Sequence, residues 1–583
     1  MPRKNAFAGF LFALVFAAAA SGFWLAYCRS AFQGLFLNDA QDYASIARNI
    51  ALGRGFLSQY VTPLGLAHHG VPQPDLWRAP LWPILLAAFQ KAFGFSDTAS
   101  ALAGGACHVA AACLVFLLGR RWFGVPAALS AAALYLLSAP ILEFSISGMT
   151  EPLAALLMLI WVFSLTAPVR ALPWGALFSG LALGIFYLAR YNAILFLLPG
   201  TVWMAWRARR ELAGAFAAQA WRRASPRGRR RLGAGLAAAA LFLGGFLIAA
   251  SPWLVRNQLV AGSPFFSLQK YEIAMFTKTY PGYRLYMIPE RVDVARFLTE
   301  HRDEVLEKFL GNLAEFRRHF LWREFTGFPL RVFACSLLAF VLPFDRFFPG
   351  QRGVRPLLVA CFLLQLAALL FLHYIPRLFV IFSPFYALYA AGAIWFIVGW
   401  LFGLWGESAA AFAHRPPGGL SDGRGRLRRW LFTAASAAIM AGFTFCGAAA
   451  NLPDFHPDFG PHPTALWGDA LRDVRELVSP DEVVVSDNGQ VFAWYGERFS
   501  CKLPCSPGLL PEVARLAPVR ALFLTSWITW AQPDADPAWV AVFKERPADI
   551  AGFRLQKVYP DGSLLYLRQL PGEAVRSSAG ESS

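Results

Sequence analysis

The stretch ASALAGGACHVAAACLVFLLGRR, residues 99–121, decides the fold class of this chain. Its first 20 residues contain no Asp, Glu, Lys or Arg, and a pair of arginines follows one residue later. An α-helix needs about 20 predominantly apolar residues to cross the hydrocarbon core of a bilayer. The stretch therefore predicts a transmembrane helix that ends beside two cations.

Ten or eleven apolar stretches of this kind run along the 583 residues, and the longest include 6–27, 232–254 and 378–401. Hydrophobic residues make up 57% of the chain and the mean hydropathy is +0.45. Soluble proteins are usually about 45–50% apolar. The composition thus predicts a polytopic α-helical membrane protein with about 11 transmembrane helices and a small C-terminal α/β soluble domain.

The positive charge of the chain is confined to short segments between the apolar stretches. The net charge is +17, and residues 207–231 alone contain nine Arg and one Glu. Further basic segments are 3–4, 120–121 and 415–429. Because cytoplasmic loops carry an excess of Lys and Arg, this pattern sets the orientation of a membrane protein in its bilayer and does not indicate a nucleic-acid partner. It predicts a multi-pass membrane protein with a cytoplasmic N-terminus.

Counting helices from that orientation places a first outer loop at residues 28–98, a second at 143–151 and an outer segment at 255–329. Two apolar stretches do not match a single full-length transmembrane helix. Residues 80–93 are too few to span and predict an interfacial or re-entrant segment. Residues 173–206 predict two shortened spans, broken near Arg190-Tyr191-Asn192.

The composition changes after residue 450, so the transmembrane module is predicted to cover residues 1–450. A periplasmic α/β domain is predicted over 451–570 and a disordered tail over 571–583. Within the domain the patterns predict a helix at 465–478, strands at 482–486, 521–525 and 539–543, and a hairpin of strands 553–559 and 563–567. A disulfide between Cys501 and Cys505 is compatible with an oxidising compartment.

Two outer loops contain acids that are candidates for general-base chemistry. Asp39 follows the first helix, where partial loss of water raises a carboxyl pKa toward the working pH. Asp42 is read as the cap or first-turn acid of a helix starting nearby, which leaves Asp39 as the candidate base. Glu151 lies in the second outer loop, either as a second acid or as a helix cap.

Three arginines are predicted at the outer face: Arg78 in Arg78-Ala79-Pro80-Leu81-Trp82-Pro83, Arg256 after Ser251-Pro252-Trp253, and Arg377 after Pro376. A guanidinium is suited to bidentate phosphate binding. Together with the acids, these arginines indicate a site for a lipid-linked phosphate and a nucleophile that loses a proton.

The sequence Asp39-x-x-x-Tyr43-x-x-x-Ala47, followed by Gly53-x-Gly55, is similar to the first-loop signature of the GT-C membrane glycosyltransferases. The order of later motifs agrees, among them Arg78-x-Pro80-Leu81-x-Pro83 and Thr150-Glu151-Pro152-Leu153. The closest resemblance is to the bacterial enzymes akin to protein O-mannosyltransferases and lipid A aminoarabinose transferases. It covers about residues 1–400.

The resemblance implies an inverting transfer of a sugar from a polyprenyl-phosphate donor to a protein, lipid or glycan hydroxyl. It also implies substrate contacts by Tyr43, Arg78, Arg256 and Arg377. Many relatives carry an adjacent Asp-Glu pair where this chain has Asp39-Ala40, so either Asp42 or Glu151 supplies the second acid. No cofactor is indicated, although a divalent metal is compatible with the acids.

Two other classes of function fit part of the pattern. A transporter or flippase for an anionic lipid or solute fits the arginines, but it predicts charges at the middle of the membrane and repeated helix pairs. A non-catalytic assembly subunit fits the outer domain and leaves the two acids unexplained.

Overall fold

A computed structural model describes residues 2–166, 172–219, 227–321, 323–401, 423–449, 461–529 and 536–569. The α-helices of this part of the chain are α1 Pro2–Ala31, α2 Asn38–Ala51, α3 Pro63–His68, α4 Leu81–Phe93, α5 Asp97–Trp122, α6 Val125–Leu136, α7 Ala139–Ile146, α8 Glu151–Leu165, α9 Leu172–Ala189, α10 Leu197–Gln219, α11 Arg227–Ala261, α12 Val294–Glu300, α13 Arg302–His319, α14 Arg323–Thr326, α15 Leu330–Val341, α16 Phe344–Phe347, α17 Val354–Phe371, α18 Ser383–Leu401, α19 Gly423–Ala449, α20 Pro463–Leu477, α21 Gly489–Trp494, α22 Leu510–Leu516 and α23 Pro537–Glu545.

The strands are β1 Leu57–Ser58, β2 Tyr60–Val61, β3 Gln73–Pro74, β4 Val483–Ser486, β5 Phe499–Lys502, β6 Val519–Leu524, β7 Asp549–Ile550, β8 Phe553–Val558 and β9 Leu564–Arg568. Short 3₁₀ helices connect several of these elements, among them Tyr191–Phe196 and Pro376–Phe382.

The chain forms two compact units. The first, called the helical unit, comprises Met1–Gly34, Ala79–Phe266 and Lys308–Asp458. The second, called the sheet unit, comprises Leu35–Arg78, Ser267–Glu307 and Phe459–Ser583. The sequence predicted a boundary at residue 451, whereas the sheet unit also takes in two segments from the predicted outer regions.

The helical unit contains five helices that are long and apolar enough to cross a membrane, counted over the described residues. A sixth is formed if α6 and α7, which meet at 57°, count as one broken span. The five spans are Leu14–Ala31, Asp97–Trp122, Gly233–Ala261, Val354–Phe371 and Pro376–Leu401. The predicted total of about 11 is not confirmed, because helices such as α4, α8 and α15 are apolar but shorter than 18 residues.

Glycines allow close packing of the helices in this unit. A side chain at Gly180 in α9 would collide with the Phe242 carbonyl of α11, and one at Gly245 in α11 would collide with the Leu177 carbonyl of α9. Small residues of this kind let helix backbones approach each other in lipid, where burial of apolar surface gives little driving force. The predicted break near Arg190 is confirmed: α9 ends at Ala189, and a 3₁₀ helix follows from Tyr191.

The sheet unit is built on a seven-stranded sheet with the order β2-β5-β4-β6-β9-β8-β7. Strand β4 is parallel to both β5 and β6, and in the series β6, β9, β8, β7 each strand is antiparallel to its neighbour. Alternate residues of β4 face opposite sides: Val483 and Val485 enter one core, and Val484 enters the other. This period of two is what a strand covered on both faces requires.

Of two elements predicted near the C-terminus, the structure confirms a hairpin and replaces a strand with a helix. The hairpin around Pro560-Asp561-Gly562 is confirmed as the antiparallel pair β8–β9. The strand predicted at 539–543 is wrong, because these residues belong to helix α23. Asp536 caps this helix by accepting a hydrogen bond from the Ala538 N–H at 2.9 Å, and Pro537 occupies its first turn. An Asp-Pro pair before an apolar run is a helix-start signal.

The predicted Cys501–Cys505 disulfide is also wrong, since both thiols are free. Cys501 lies in β5 and points into the core with Val61 and Leu503. The backbone of Cys505 is held elsewhere: its N–H donates to the Met287 carbonyl at 3.0 Å, and its carbonyl accepts from the Asp536 N–H at 2.7 Å. Burial raises the pKa of both thiols, which disfavours their reactive thiolate forms.

Candidate active site

The start of helix α2 places Asp39 in its first turn. The helix begins at Asn38, so the prediction of a helix that starts near Asp42, with Asp42 as its cap or first-turn acid, is wrong. A carboxylate in the first turn is favoured by the helix dipole. Asp42 lies almost one turn further along the same side of the helix and is buried.

Arg78 joins the two aspartates. Its Nη2 donates to Asp39 Oδ1 at 2.9 Å, and its Nε donates to Asp42 Oδ2 at 2.7 Å. The side chains of Arg78 and Asp42 are 7% and 2% exposed, whereas that of Asp39 is 32% exposed. Asp39 is therefore the carboxylate of this pair that solvent reaches.

Local turn chemistry positions the Arg78 guanidinium. Asp75 Oδ1 accepts hydrogen bonds from the backbone N–H groups of Trp77 at 3.0 Å and Arg78 at 2.6 Å, which closes the turn after β3. The guanidinium carbon lies 4.8 Å from the centre of the Tyr43 ring and 5.0 Å from that of Trp77. We call Asp39, Asp42, Asp75 and Arg78 the aspartate cluster.

Burial governs the protonation of the aspartate cluster. It raises the pKa of Asp42 from 3.8 to about 7, against the opposing charge of Arg78 and with further increases from Asp75 and Asp39. Burial alone would lower the pKa of Arg78, but the Asp39 and Asp42 carboxylates outweigh it and hold that pKa well above its ordinary value. Arg78 is thus a permanent cation between an exposed and a buried carboxyl group.

A second group of charges lies in the helical unit, at the start of α8. Glu151 is the first residue of this helix and its side chain is 1% exposed. Arg190 donates from Nη2 to Glu151 Oε1 at 2.6 Å, and from both Nε and Nη2 to Thr150 Oγ1 at 3.0 and 2.8 Å. Arg190 reaches them because its extended backbone, with φ −150° and ψ 120°, ends helix α9.

Arg377 lies beside the same carboxylate. It is at the start of the 3₁₀ helix Pro376–Phe382, with its Nε 3.9 Å from Glu151 Oε1 and its side chain 30% exposed. Its Nη1 also lies 4.0 Å from the Met149 sulfur. We call Thr150, Glu151, Arg190 and Arg377 the glutamate cluster.

The Arg256 side chain contacts Trp253 and Asn257, which belong to the same helix, α11. Its guanidinium carbon lies 4.6 Å from the centre of the Trp253 ring, and its Nη1 donates to Asn257 Oδ1 at 3.0 Å. Trp253 in turn donates from Nε1 to the Tyr191 hydroxyl at 2.9 Å, next to the α9 break.

The predicted site residues thus fall into groups. Asp39, Asp42, Tyr43 and Arg78 come together in the sheet unit, and Glu151 and Arg377 come together in the helical unit. Sequence reasoning missed Arg190 as a site residue, although the polar triplet at 190–192 inside an apolar stretch was a signal. It also missed Asp75, for which the Asp-x-Trp-Arg spacing alone was too weak.

The described residues contain no group of three or more His, Cys, Asp or Glu side chains arranged to hold a metal ion. A requirement for a divalent metal therefore stays a prediction without a ligand set among the described residues.

Comparisons with known proteins agree with the predicted resemblance. Residues 77–219 match the family described as dolichyl-phosphate-mannose-protein mannosyltransferase. No curated protein matches the chain by sequence. The fold is similar to that of ArnT from Cupriavidus metallidurans in the apo state, with a TM-score of 0.52 and 13% identity over 96% of this chain and 98% of that one.

Two further solved structures have similar folds. ArnT from the same organism bound to undecaprenyl phosphate gives a TM-score of 0.52 and 14% identity, covering 95% of this chain and 97% of that chain. The Archaeoglobus fulgidus oligosaccharyltransferase tethered to an acceptor peptide gives 0.51 and 14%, covering 96% of this chain and 74% of that chain. These are GT-C glycosyltransferases, so the predicted GT-C-like fold is confirmed, and the transporter alternative gains no support.

Proposed function

We propose that this chain is an inverting glycosyltransferase that moves a sugar from a polyprenyl-phosphate donor to an acceptor hydroxyl on the outer face of the bacterial inner membrane. The observation that carries the proposal is the Asp39 carboxylate, which is solvent-accessible and hydrogen-bonded to the buried guanidinium of Arg78. Such a fixed, accessible carboxylate is what a general base for a hydroxyl requires.

The reaction follows from that carboxylate. Asp39 accepts the proton of the acceptor hydroxyl while the oxygen attacks the anomeric carbon of the sugar. The bond from that carbon to the phosphate oxygen breaks, and the polyprenyl phosphate leaves with the electron pair. Because attack and departure occur on opposite sides of the carbon, the anomeric configuration inverts.

Asp42 and Arg78 act on Asp39 without taking the proton. The two-point contact of Arg78 with both carboxylates fixes the orientation of Asp39, and the Tyr43 and Trp77 rings enclose the guanidinium. Positioned charges in a site with little water stabilise developing charge more strongly than they would in solution. Asp42 is therefore proposed as the second acid of the site, and it acts by positioning Asp39 through Arg78.

The donor phosphate is assigned to arginines of the helical unit. Arg377 is the leading candidate because its side chain is 30% exposed and its Nε lies 3.9 Å from Glu151 Oε1, in a cluster that also contains Arg190. Glu151 contributes one negative charge against the two positive charges of Arg190 and Arg377, so the cluster keeps a net positive charge for an anionic group. Arg256 is the second candidate.

An apolar cavity of about 180 Å³ in the helical unit suits part of a prenyl chain. Its lining is almost entirely aromatic and aliphatic, including Phe333 of α15, Phe362 of α17 and Phe382. Phe382 belongs to the same 3₁₀ helix as Arg377. One short element therefore contributes both a cation for the phosphate and a wall for the isoprenoid. The related fold of ArnT, solved with undecaprenyl phosphate, supports this class of donor.

The acceptor is a hydroxyl on a protein, lipid or glycan. The family description names a protein acceptor, and the oligosaccharyltransferase of similar fold was solved with a tethered acceptor peptide. Both favour testing peptides that contain Ser and Thr first, followed by lipid A and polysaccharide.

The test is release of polyprenyl phosphate from labelled polyprenyl-phosphate sugars by full-length protein in nanodiscs, with each acceptor class in turn. Asp39→Asn should lower transfer by about 100-fold or more, because a positioned general base typically contributes about 10²- to 10⁴-fold to the rate. Asp303→Asn is the matched control, because Asp303 lies in the first turn of α13 and is 98% exposed. Asp39→Asn protein that transfers sugar at the control rate would refute the proposal.

A further inference from the structure

Helix α2, which carries Asp39, begins without a side-chain cap. Its N-cap position is occupied by Leu37, which has no polar side chain for the first backbone N–H groups of the helix. Ser, Thr, Asp and Asn are the residues that stabilise this position, and helix ends fray. Because Asp39 is the second residue of α2, fraying here would move its carboxylate. A fixed Asp39 therefore requires contacts from elsewhere on the segment before α2.

Tyr495 contacts that segment from the C-terminal part of the sheet unit. Its hydroxyl donates a hydrogen bond to the Leu35 carbonyl at 3.1 Å, four residues before Asp39. The same carbonyl accepts from Gln41 Nε2 at 2.8 Å, which ties it to the first turn of α2. The Tyr495 ring packs against the core on the side of the sheet that contains Val484. A side chain anchored in a packed core thus fixes the entry of the chain into α2.

His462 orients the Tyr495 hydroxyl. Its Nδ1 accepts a hydrogen bond from the Thr464 backbone N–H at 3.3 Å, as the cap of helix α20. In a neutral imidazole, a nitrogen that accepts leaves the proton on the other nitrogen. His462 Nε2 therefore donates to the Tyr495 oxygen at 3.0 Å, and the Tyr495 O–H donates onward to Leu35. The His462 ring also packs edge-on against Phe36, with 5.4 Å between the ring centres.

Arg48 holds the other end of α2. It lies in the last turn of the helix, is buried, and donates from Nη1 to the Trp494 carbonyl at 2.8 Å and from Nη2 to the Ala493 carbonyl at 2.6 Å. These two carbonyls end helix α21, directly before Tyr495. Three consecutive residues, 493–495, therefore contact both ends of the helix that carries the base.

Resting on the function proposed above, we propose that Tyr495, oriented by His462, is a positioning residue that fixes the start of α2 and through it the Asp39 carboxylate. The C-terminal part of the sheet unit then serves the reaction as the support of its base. A group misplaced by about 1 Å can cost roughly 100-fold in rate. Loss of the Tyr495 hydroxyl is therefore expected to lower transfer although Tyr495 acts only through another residue.

Tyr495→Phe removes the hydroxyl and keeps the ring. Tyr559→Phe is the matched control, because Tyr559 packs in the same core and its hydroxyl donates to Asp473 of α20 at 2.7 Å. Full-length proteins in nanodiscs are given undecaprenyl-phosphate mannose, glucose, galactose and arabinose, and kcat and the donor KM are measured with the sugar that wild type transfers. Tyr495→Phe should lower kcat roughly 10-fold, because the base is less well placed, and leave the donor KM unchanged. Tyr559→Phe should match wild type in both values.

The same change in Asp39→Asn protein separates positioning from general damage to the fold. If Tyr495 acts through Asp39, Tyr495→Phe should not lower the residual transfer of Asp39→Asn any further, so the two effects are not additive. A merely structural role would lower transfer by the same factor in both backgrounds. That result, or wild-type kcat in Tyr495→Phe, would overturn the inference and leave the transferase proposal intact.

Amide hydrogen exchange tests the positioning without any substrate. The amides of residues 40–44 should exchange roughly 2- to 10-fold faster in Tyr495→Phe than in wild type or Tyr559→Phe, as expected for loss of one neutral hydrogen bond that closes the helix start. Equal exchange in the three proteins would overturn the inference. Wild type that consumes none of the four donors would overturn the transferase proposal, whereas the exchange rates would still decide whether Tyr495 fixes the start of α2.

Discussion

The pH dependence of stability should change when Asp42 is replaced by asparagine. Burial raises the pKa of Asp42 from 3.8 to about 7 in the folded protein, and each pH unit corresponds to roughly 1.4 kcal/mol, so the full difference is about 4 kcal/mol. A raised folded-state pKa means that the folded protein binds this proton more tightly than the unfolded chain does. The stabilisation is therefore complete below the unfolded pKa and is lost as the pH rises through about 7.

Between pH 5 and pH 8, wild type should lose about 2.5 kcal/mol through this one group, because most of the change falls above pH 5. Asp42→Asn keeps the size of the side chain and its acceptor for Arg78, but it removes the titration. Urea unfolding of detergent-solubilised protein, followed by tryptophan fluorescence at both pH values, measures the difference. Asp303→Asn, at a fully exposed position, should behave like wild type. An unchanged pH dependence in Asp42→Asn would refute the assignment of a buried, proton-binding Asp42.

Three further changes test other parts of the account. Arg78→Lys keeps the positive charge but replaces the guanidinium, which donates to two carboxylates, with a single ammonium group. Initial transfer rates should therefore fall roughly 10- to 100-fold, with little change in the thermal unfolding temperature. Wild-type transfer rates would contradict the role of Arg78 as a bridge between Asp39 and Asp42. The Gly180→Val side chain would collide with the Phe242 carbonyl, so this variant should aggregate on size-exclusion chromatography and should not unfold cooperatively. Gly175→Val is in the same helix with open space around it and should behave like wild type in both measurements. Alkylation without reductant should modify both Cys501 and Cys505 in the unfolded protein and neither in the folded protein. Mass spectrometry of the proteolytic peptide that contains both cysteines measures the modification. A peptide from unfolded protein that resists alkylation would indicate a disulfide between them.

Features set by local pattern were predictable from the sequence. The apolar stretch at 99–118 became α5, the turn at Pro560-Asp561-Gly562 became a hairpin, and the polar triplet at 190–192 ended helix α9. The number of spans was less predictable, because hydropathy does not show where a helix bends or stops short, as α6 and α7 do. The run at 539–543 was read as a strand since its apolar residues match a buried strand as well as a helix, and only the preceding Asp-Pro pair separates the two.

The candidate site was predictable in its residue types but not in its pairings. Asp39 was predicted from its place after the first helix and from a motif that resembles the GT-C first loop, Asp42 as a helix cap and Arg78 as an outer-face cation. The structure joins the three through one guanidinium. Long-range partners leave no local signal, so the contact of Arg190 with Glu151, 39 residues apart, was missed. The same reason explains why the sequence did not predict that the sheet unit includes part of the first outer loop. Strand β2 of that loop pairs with β5 near the C-terminus, and the sequence gives no local signal of this pairing.

The anomeric configuration of the transferred sugar tests the central claim most directly. If Asp39 takes the acceptor proton in a single displacement at the anomeric carbon, NMR of the wild-type product must show the configuration opposite to that of the polyprenyl-phosphate donor, and Asp39→Asn must form little product. A product with the donor's own configuration would exclude a single displacement from the face opposite the phosphate, and would contradict the role of Asp39 as the base in that step.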